Sequence, residues 1–384
     1  MTQLRQIGLI TMNRLKNFGS SLQTVALYTV INRLGYSVAL IDYQYPGKYH
    51  AGMSRTQVFE KKSFFYGFVN FLRAVKHFFD GTSLQIFIQS RRYASFGKRN
   101  CPCRTKLYTK ESIHKEPPFF STYMTGSDQT WNPRYLYNDY TFLLDFASDE
   151  AKKIAYAASF GKSEIAPQFR TDYSRLLKRF TYATVREKSG EDLFYRLTEG
   201  NASFVLDPTF LLNRDQWTEI ASQSRVKLPR HYILCYFMFY SFDPYPLAGN
   251  AIDFVKKHFG DIPVISLNWI GPWSGKHSWY HSAGPAEFLK LFLHADFVLT
   301  SSFHGTAFSI NFGKDFISIL NPRQSSDDRV YNILHECHMD RHGIRDEKEL
   351  SDYKFGQQDD SSQLNRLREK SFDHLTTMLQ LSVK

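Results

Sequence analysis

IGLITMNRLKNFGSSLQTVALYTVINRLGYSVALID, residues 7–42, runs from one short apolar stretch through a helical pattern to a second apolar stretch. Residues 7–10 read as a buried strand and 13–19 as a turn. Leu22, Val25, Ala26, Thr29, Val30 and Leu34 then recur at helical spacing, and Gly35 closes the helix. Residues 38–42 form the second strand. Strand, helix and strand within about 35 residues make a βαβ unit, which implies a parallel sheet.

The alternation continues outward from this unit. Residues 120–124, 154–158, 182–185 and 203–206 are further strand candidates. After a polar break at 213–230 a second set follows at 232–237, 263–267, 297–300 and 316–319, with helical patterns between. No short repeat or low-complexity tract interrupts the pattern. A chain of 384 residues is too long for one average domain and suits two. The expected architecture is α/β, with two Rossmann-like domains facing a cleft. The first is 1–212, with a basic aromatic insertion at about 48–115, the second is 213–345, and a helical tail occupies 346–384. Ligands of open α/β sheets sit at the carboxyl ends of the strands, so the loops there are where chemistry is expected.

Composition narrows the function classes. Hydrophobic residues make up 42% and charged residues 22%, enough to bury real cores and unlike a disordered chain. The N-terminus lacks the long apolar region and small-residue cleavage site of a secretory signal. No apolar stretch reaches the roughly 20 residues of a membrane span. Four cysteines give no disulfide framework. A cytoplasmic location is the expectation.

The net charge of +11 is concentrated. Residues 48–115 hold fourteen Lys and Arg against Glu60, Asp80 and Glu111, an excess equal to that of the whole chain. The same segment contains FEKKSFFYGFVNFLRAVKHFF, residues 59–79. Interleaved cations and Phe suit a peripheral contact with an anionic membrane. The commoner use of such a pattern is a domain helix with aromatics toward the core and charges in water. No recognised motif accompanies the charge to indicate nucleic acid.

The sharpest local signal is ADFVLTSSFHGTAFSINFGKDFISI, residues 295–319. A buried strand at 297–300 ends in Ser301 and Ser302, and His304, Gly305 and Thr306 open the next helix. Free N–H groups and the positive helix end favour an anion there, and Gly305 would let it approach closely. An imidazole in that place can donate a proton or hold a phosphate. The alternative is a capping serine beside an incidental histidine.

Six separated blocks carry a resemblance. They are the opening GLITMNRLKNFGSSLQTVALYTVINRLGYSVALIDY, TGSDQTWNP (125–133), IAYAASFG (154–161), VREKSGEDL (185–193), VLDPTFLL (205–212) and LTSSFHGTAFSI (299–310). In this order they resemble the polysaccharide pyruvyl transferase family over roughly residues 7–345. The resemblance implies a two-domain fold similar to the GT-B glycosyltransferases. It also implies transfer of pyruvate from phosphoenolpyruvate to a sugar, usually as a ketal. No cofactor or metal is expected beyond phosphoenolpyruvate as co-substrate. A lipid-linked oligosaccharide at the inner face of the membrane is the implied acceptor. Architecture alone would also permit a glycosyltransferase using a nucleotide sugar, or a non-catalytic sugar-binding relative.

By the same resemblance His304 contacts the donor and is the acid/base candidate, and Arg186 is a second donor contact. Ser302, Gly305, Thr306 and Arg329 fall on the donor side. Asn17, Gly19, Gln23 and Asp128 fall on the acceptor side. Members reading G-N-x-G-D in the first turn have an acid where this chain has Ser20. Asp128 is also suited to an Asx-type turn, and Asp207-Pro208 to ending a strand. His335 and His338 lack the further ligands of a zinc site. Cys101-Pro102-Cys103 lacks the spacing of a redox or zinc pair.

Overall fold

The computed structural model describes residues 6–44, 82–136, 139–239, 242–267, 282–323 and 329–383. Two wholly parallel sheets carry the fold. The first has the order β3-β2-β1-β4-β5-β6-β7 and the second β12-β11-β10-β8-β9. In the first, β1 is Gln6–Ile10, β2 Ser37–Tyr43, β3 Arg104–Tyr108, β4 Thr122–Thr125, β5 Lys152–Ala158, β6 Tyr182–Val185 and β7 Ser203–Phe204. In the second, β8 is Ile233–Tyr236, β9 Val264–Ser266, β10 Phe297–Thr300, β11 Phe316–Ile319 and β12 Gly343–Ile344. The central strands β4, β8, β10 and β11 are buried at every position, as expected for parallel strands covered by helices on both faces.

The opening βαβ unit forms as its pattern predicts. β1 pairs with β2 in parallel, joined by the helix Phe18–Arg33. β1 also pairs with β4 on its other side, so the strand order reverses there. The second sheet reverses between β8 and β10 in the same way. Each sheet therefore has a switch point, where the loops diverge and leave a crevice at the carboxyl ends of the strands.

Two expectations change. Residues 48–115 are not wholly an insertion, because the part from 82 onward belongs to the first unit. It forms the helix Thr82–Asn100, the edge strand β3 and the helix Lys110–Lys115. β3 was missed because RTKLY is polar, with four of five residues exposed or half-buried. The segment 346–384 is helical at Ser362–Val383, but that helix returns to the first sheet instead of trailing away. Ser371 Oγ accepts from Leu206 N at 2.9 Å, and Thr122 Oγ1 donates to Ser382 O at 3.0 Å.

One apolar cluster runs through both halves, including Phe18, Leu206, Trp217, Tyr236, Phe288, Phe308 and Leu375. Phe18 stacks on Phe288 with ring centroids 4.8 Å apart and on Tyr93 at 5.7 Å. At the edge of this contact Arg92 Nη1 donates to Ser282 O at 2.6 Å, and Gln89 Nε2 to Ala283 O at 3.1 Å. Trp217, on the helix Arg214–Ala221, packs edge-on against Phe308 and donates from Nε1 to Thr209 O at 2.9 Å. It thereby joins the turn after β7 to the Phe303–Asn311 helix. Trp217→Ala should cost about 3–5 kcal/mol of stability, read as a lowered urea midpoint, through cavity formation and loss of that bond.

Candidate active site

The two switch points face one another, and the loops around them converge on a buried cluster. On the first sheet the turn after β1 leads to Asn17, whose side chain caps the Phe18–Arg33 helix by accepting from Ser20 N at 3.1 Å. Gly19 comes next. A Cβ there would lie 1.9 Å from Nδ1 of His304, so only glycine lets this helix start meet the imidazole of the other half. Ser20 Oγ donates to Asp128 Oδ2 at 2.5 Å. Asp128, in the loop after β4, has φ of 68°, a left-handed conformation that Asp tolerates better than most residues. Its Oδ1 accepts from Gln129 N at 3.0 Å.

Arg186 follows the last residue of β6, and its side chain is only 1% exposed. Nη1 donates to Asp207 Oδ2 at 2.8 Å. Nη2 lies 3.6 Å from Asp128 Oδ1, and Nε lies 3.7 Å from Glu187 Oε1. The Phe303 ring covers the guanidinium at 4.6 Å, a cation–π contact that shields it from water. Neither Nε nor Nη2 has a hydrogen-bond partner among the described residues.

Asp207 occupies the centre. Its Oδ1 accepts from Thr209 N at 3.0 Å and Thr209 Oγ1 at 2.8 Å, which holds the short turn after β7. Its Oδ2 accepts from Arg186 and from Ser127 Oγ at 3.3 Å, and faces His304 Nε2 at 3.9 Å. A strand-ending role was the expectation for this residue. The structure gives it that role and a second one inside the cluster. An acid directly after a strand, at the same sheet end as Arg186, was the signal that could have found it.

His304 is delivered by β10 and the helix that follows. Ser302 is the N-cap, and its Oγ faces Gly305 N at 3.4 Å. A Cβ on Gly305 would stand 2.1 Å from Thr300 Oγ1, so this glycine allows helix and strand to touch. Thr306 is fully buried, bonded through its hydroxyl to Ser318 Oγ at 2.7 Å. Ser302, Gly305 and Thr306 therefore hold His304 from beneath. His304 itself is buried, and its Nε2 has no hydrogen-bond partner among the described residues.

Arg329 begins the helix Arg329–Glu336 and adds positive potential at both His304 and Asp128. The Gln129 amide, with its oxygen turned toward Arg329, accepts from Nη1 and Nη2 at 3.2 and 3.3 Å. Gln23 lies outside this group of facing charges. It is fully buried, donates to Thr11 Oγ1 at 2.8 Å and Ser20 O at 3.0 Å, and accepts from Ser127 N at 2.9 Å. With both ends of its amide engaged it braces the loops after β1 and β4.

Electrostatics sharpen the roles. Burial pushes the His304 imidazole below its ordinary value, opposed by Asp207 and Asp128 and assisted by Arg186 and Arg329. Burial raises the Asp128 carboxyl, but Arg186, His304, the Ser20 hydrogen bond and Arg329 outweigh it and leave it below the ordinary value. Arg186 and Arg329 stand against Asp128, Glu187 and Asp207. A neutral His304 thus leaves these groups one negative charge in excess. Elsewhere, His335 Nδ1 pairs with Asp340 at 2.9 Å on the surface, and Cys101 and Cys103 form no disulfide among the described residues. Among the described residues no group of three or more His, Cys, Asp or Glu is arranged to hold a metal.

Gly19→Ala tests the contact between the halves. The added methyl cannot coexist with the ring, so turnover should fall about 10²-fold as His304 is displaced. Overpacking should also lower stability by about 1–3 kcal/mol, measured by denaturant unfolding.

Known proteins place this geometry in context. Similar solved structures include UDP-GlcNAc 2-epimerase from Methanocaldococcus jannaschii, 11% identical with a TM-score of 0.48, covering 97% of this chain and 99% of that one. The Neisseria meningitidis UDP-GlcNAc 2-epimerase bound to UDP-GlcNAc is 7% identical with a TM-score of 0.48 and covers 97% and 99%. A Thermobaculum terrenum O-GlcNAc transferase mutant is 10% identical with a TM-score of 0.43 and covers 97% and 63%. No curated protein matches the sequence at a significant level. The pattern of the polysaccharide pyruvyl transferases matches residues 17–322, a span holding Asn17, Asp128, Arg186, Asp207 and His304, and the chain belongs to that family.

Proposed function

We propose that this protein transfers pyruvate from phosphoenolpyruvate to two hydroxyls of a sugar in a surface polysaccharide, releasing phosphate. The observation that carries this reading is a set of unpartnered buried nitrogens in one place: the donors Arg186 Nε and Nη2, with His304 Nε2, which is a donor once the ring is protonated. Buried donors without partners are costly, and an anionic ligand would satisfy them. Arg186 and Arg329 suit the carboxylate and phosphate of the donor.

The chemistry follows from the donor. A proton from His304 goes to the methylene carbon, making it a methyl group and leaving the adjacent carbon electrophilic. One sugar hydroxyl attacks that carbon and loses its proton, and the C–O bond to phosphate breaks with its electron pair on oxygen. The second hydroxyl attacks and loses its proton, closing the ketal. Of the two hydroxyl protons, one replaces that spent on the methyl group and the other leaves on phosphate. Buried donors fixed beforehand stabilise the developing charge without reorganisation.

The donor is a trianion entering a cluster that already carries excess negative charge. Binding therefore favours a protonated His304; because burial holds the free imidazole below its ordinary value, affinity should rise as pH falls below neutrality toward that lowered midpoint. Incubation with phosphoenolpyruvate and a panel of lipid-linked oligosaccharides, followed by phosphate release and product mass, tests the reaction. His304→Ala should lower turnover by about 10²-fold or more while the fold persists. Transfer that needs a nucleotide sugar, or no release at all, would overturn the proposal.

We place the reaction in the cytoplasm at the inner membrane face. Support comes from the concentration of charge in residues 48–115, and from the exposed Leu84, Phe87, Arg91, Lys98 and Arg99 on the Thr82–Asn100 helix. No described helix is long and apolar enough to cross a membrane. Lys61, Lys62, Arg73 and Lys76 lie outside the described residues. Each cation near an anionic surface contributes about 1 kcal/mol. Changing these four to Gln should weaken binding to anionic vesicles and activity on a lipid-linked acceptor, yet spare a soluble sugar. Equal loss on both acceptors would make the segment ordinary structure.

A further inference from the structure

Asp207 has a burden that capping a turn does not require. A turn of this kind needs only the Oδ1 bonds to Thr209. The second oxygen, in a side chain with no solvent exposure, faces Arg186 Nη1, Ser127 Oγ and His304 Nε2. His304 is enclosed from several directions. The start of the Phe18–Arg33 helix presents Gly19, and the loop after β4 presents Asp128. The end of β6 presents Arg186, the turn after β7 presents Asp207, and the Arg329–Glu336 helix presents Arg329. Two cations and the loss of water oppose a charged imidazole. Two carboxylates favour it, and Asp207 is the larger influence of the two.

We infer that Asp207 is the positioning residue that keeps His304 able to take up a proton, while the same carboxylate oxygen fixes the Arg186 guanidinium beside it. One oxygen thereby sets the charge of the proton donor and the place of the neighbouring cation. The separation of 3.9 Å between Asp207 Oδ2 and His304 Nε2 is longer than a hydrogen bond. The carboxylate therefore acts on the imidazole by charge and leaves Nε2 free to hand its proton elsewhere. The use of that proton rests on the phosphoenolpyruvate reading above, but the hold of Asp207 on His304 does not.

The experiment uses the full chain labelled with ¹³C-histidine, with the His304 ring signal assigned by its loss in His304→Gln. Asp207→Asn keeps an oxygen for Thr209 and a similar shape, so the turn can persist. Its His304 titration midpoint should fall by about one pH unit or more, the usual effect of losing a nearby opposite charge. Ser127→Ala removes a neighbouring contact of Asp207 without changing any charge, and should move the midpoint by much less. An unmoved His304 midpoint in Asp207→Asn, or an equal shift in Ser127→Ala, would overturn the inference. Calorimetry with phosphoenolpyruvate, run in two phosphate-free buffers of different ionisation enthalpy, separates the two ideas. Proton uptake on binding should approach one in the parent and drop sharply in Asp207→Asn. Uptake unchanged in the variant counts against Asp207. A shifted His304 midpoint in a protein that binds no phosphoenolpyruvate would keep the Asp207 role and remove the donor reading.

Discussion

The ion pair between Arg186 and Asp207, both effectively out of water, is the constraint on which the site depends. Removing two charges from water costs several kcal/mol each, and their attraction repays it only when further hydrogen bonds satisfy the remaining atoms. Asp207 meets that condition through Thr209 and Ser127. Arg186 meets it less completely, with two nitrogens 3.6 and 3.7 Å from carboxylates and without hydrogen-bond partners among the described residues. A buried pair left unfinished on one side contributes little to stability for its cost. It does hold charged donors in place before a ligand arrives.

The surrounding structure keeps this pair facing the histidine. Thr209 O, on the turn bearing Asp207, accepts from Asn311 Nδ2 of the histidine helix and from Trp217 Nε1, both at 2.9 Å, and the Trp217 ring packs on Phe308 of that helix. Arg368 of the returning C-terminal helix donates to Asn311 Oδ1 at 2.8 Å. The chain thus passes from the first sheet to the second and comes back to brace the junction. The aromatic stack of Tyr93, Phe18 and Phe288 closes another side of the same junction. In these residues the aromatic rings serve the packing of one half on the other.

Much of the fold was legible because buried parallel strands write continuous apolar runs. Tyr182–Val185, Phe297–Thr300 and Phe316–Ile319 coincide with the strands read from the sequence. β3 was not legible, because an edge strand has no need of apolar residues on every position. The site divides in the same way. His304 and Arg186 stood in distinctive blocks, and both lie in the cluster. Asp207 was passed over because an acid before proline at a strand end has a sufficient local explanation, and only the meeting of three loops reveals the second one. Gln23, Gly305 and Thr306 stood in equally distinctive blocks, yet their atoms are spent on bracing. A motif records which residues are constrained, and the constraint can be packing as easily as chemistry.

Ser20 shows how a departure from a motif acquires physical meaning once the neighbours are known. Its hydroxyl is 2.5 Å from Asp128 Oδ2. An acid in its place would set two carboxylates against each other, and such pairs hold a proton between them because both cannot ionise. Serine supplies a donor without a competing charge, so Asp128 stays a full anion beside Arg186. That charge reaches His304 as well, where it reinforces Asp207 against the two arginines. The substitution thus shifts the proton balance of the whole cluster. With an acid there, a proton would already be held at the Asp128 position before any ligand entered. With serine, His304 is the place where an incoming proton is best accommodated.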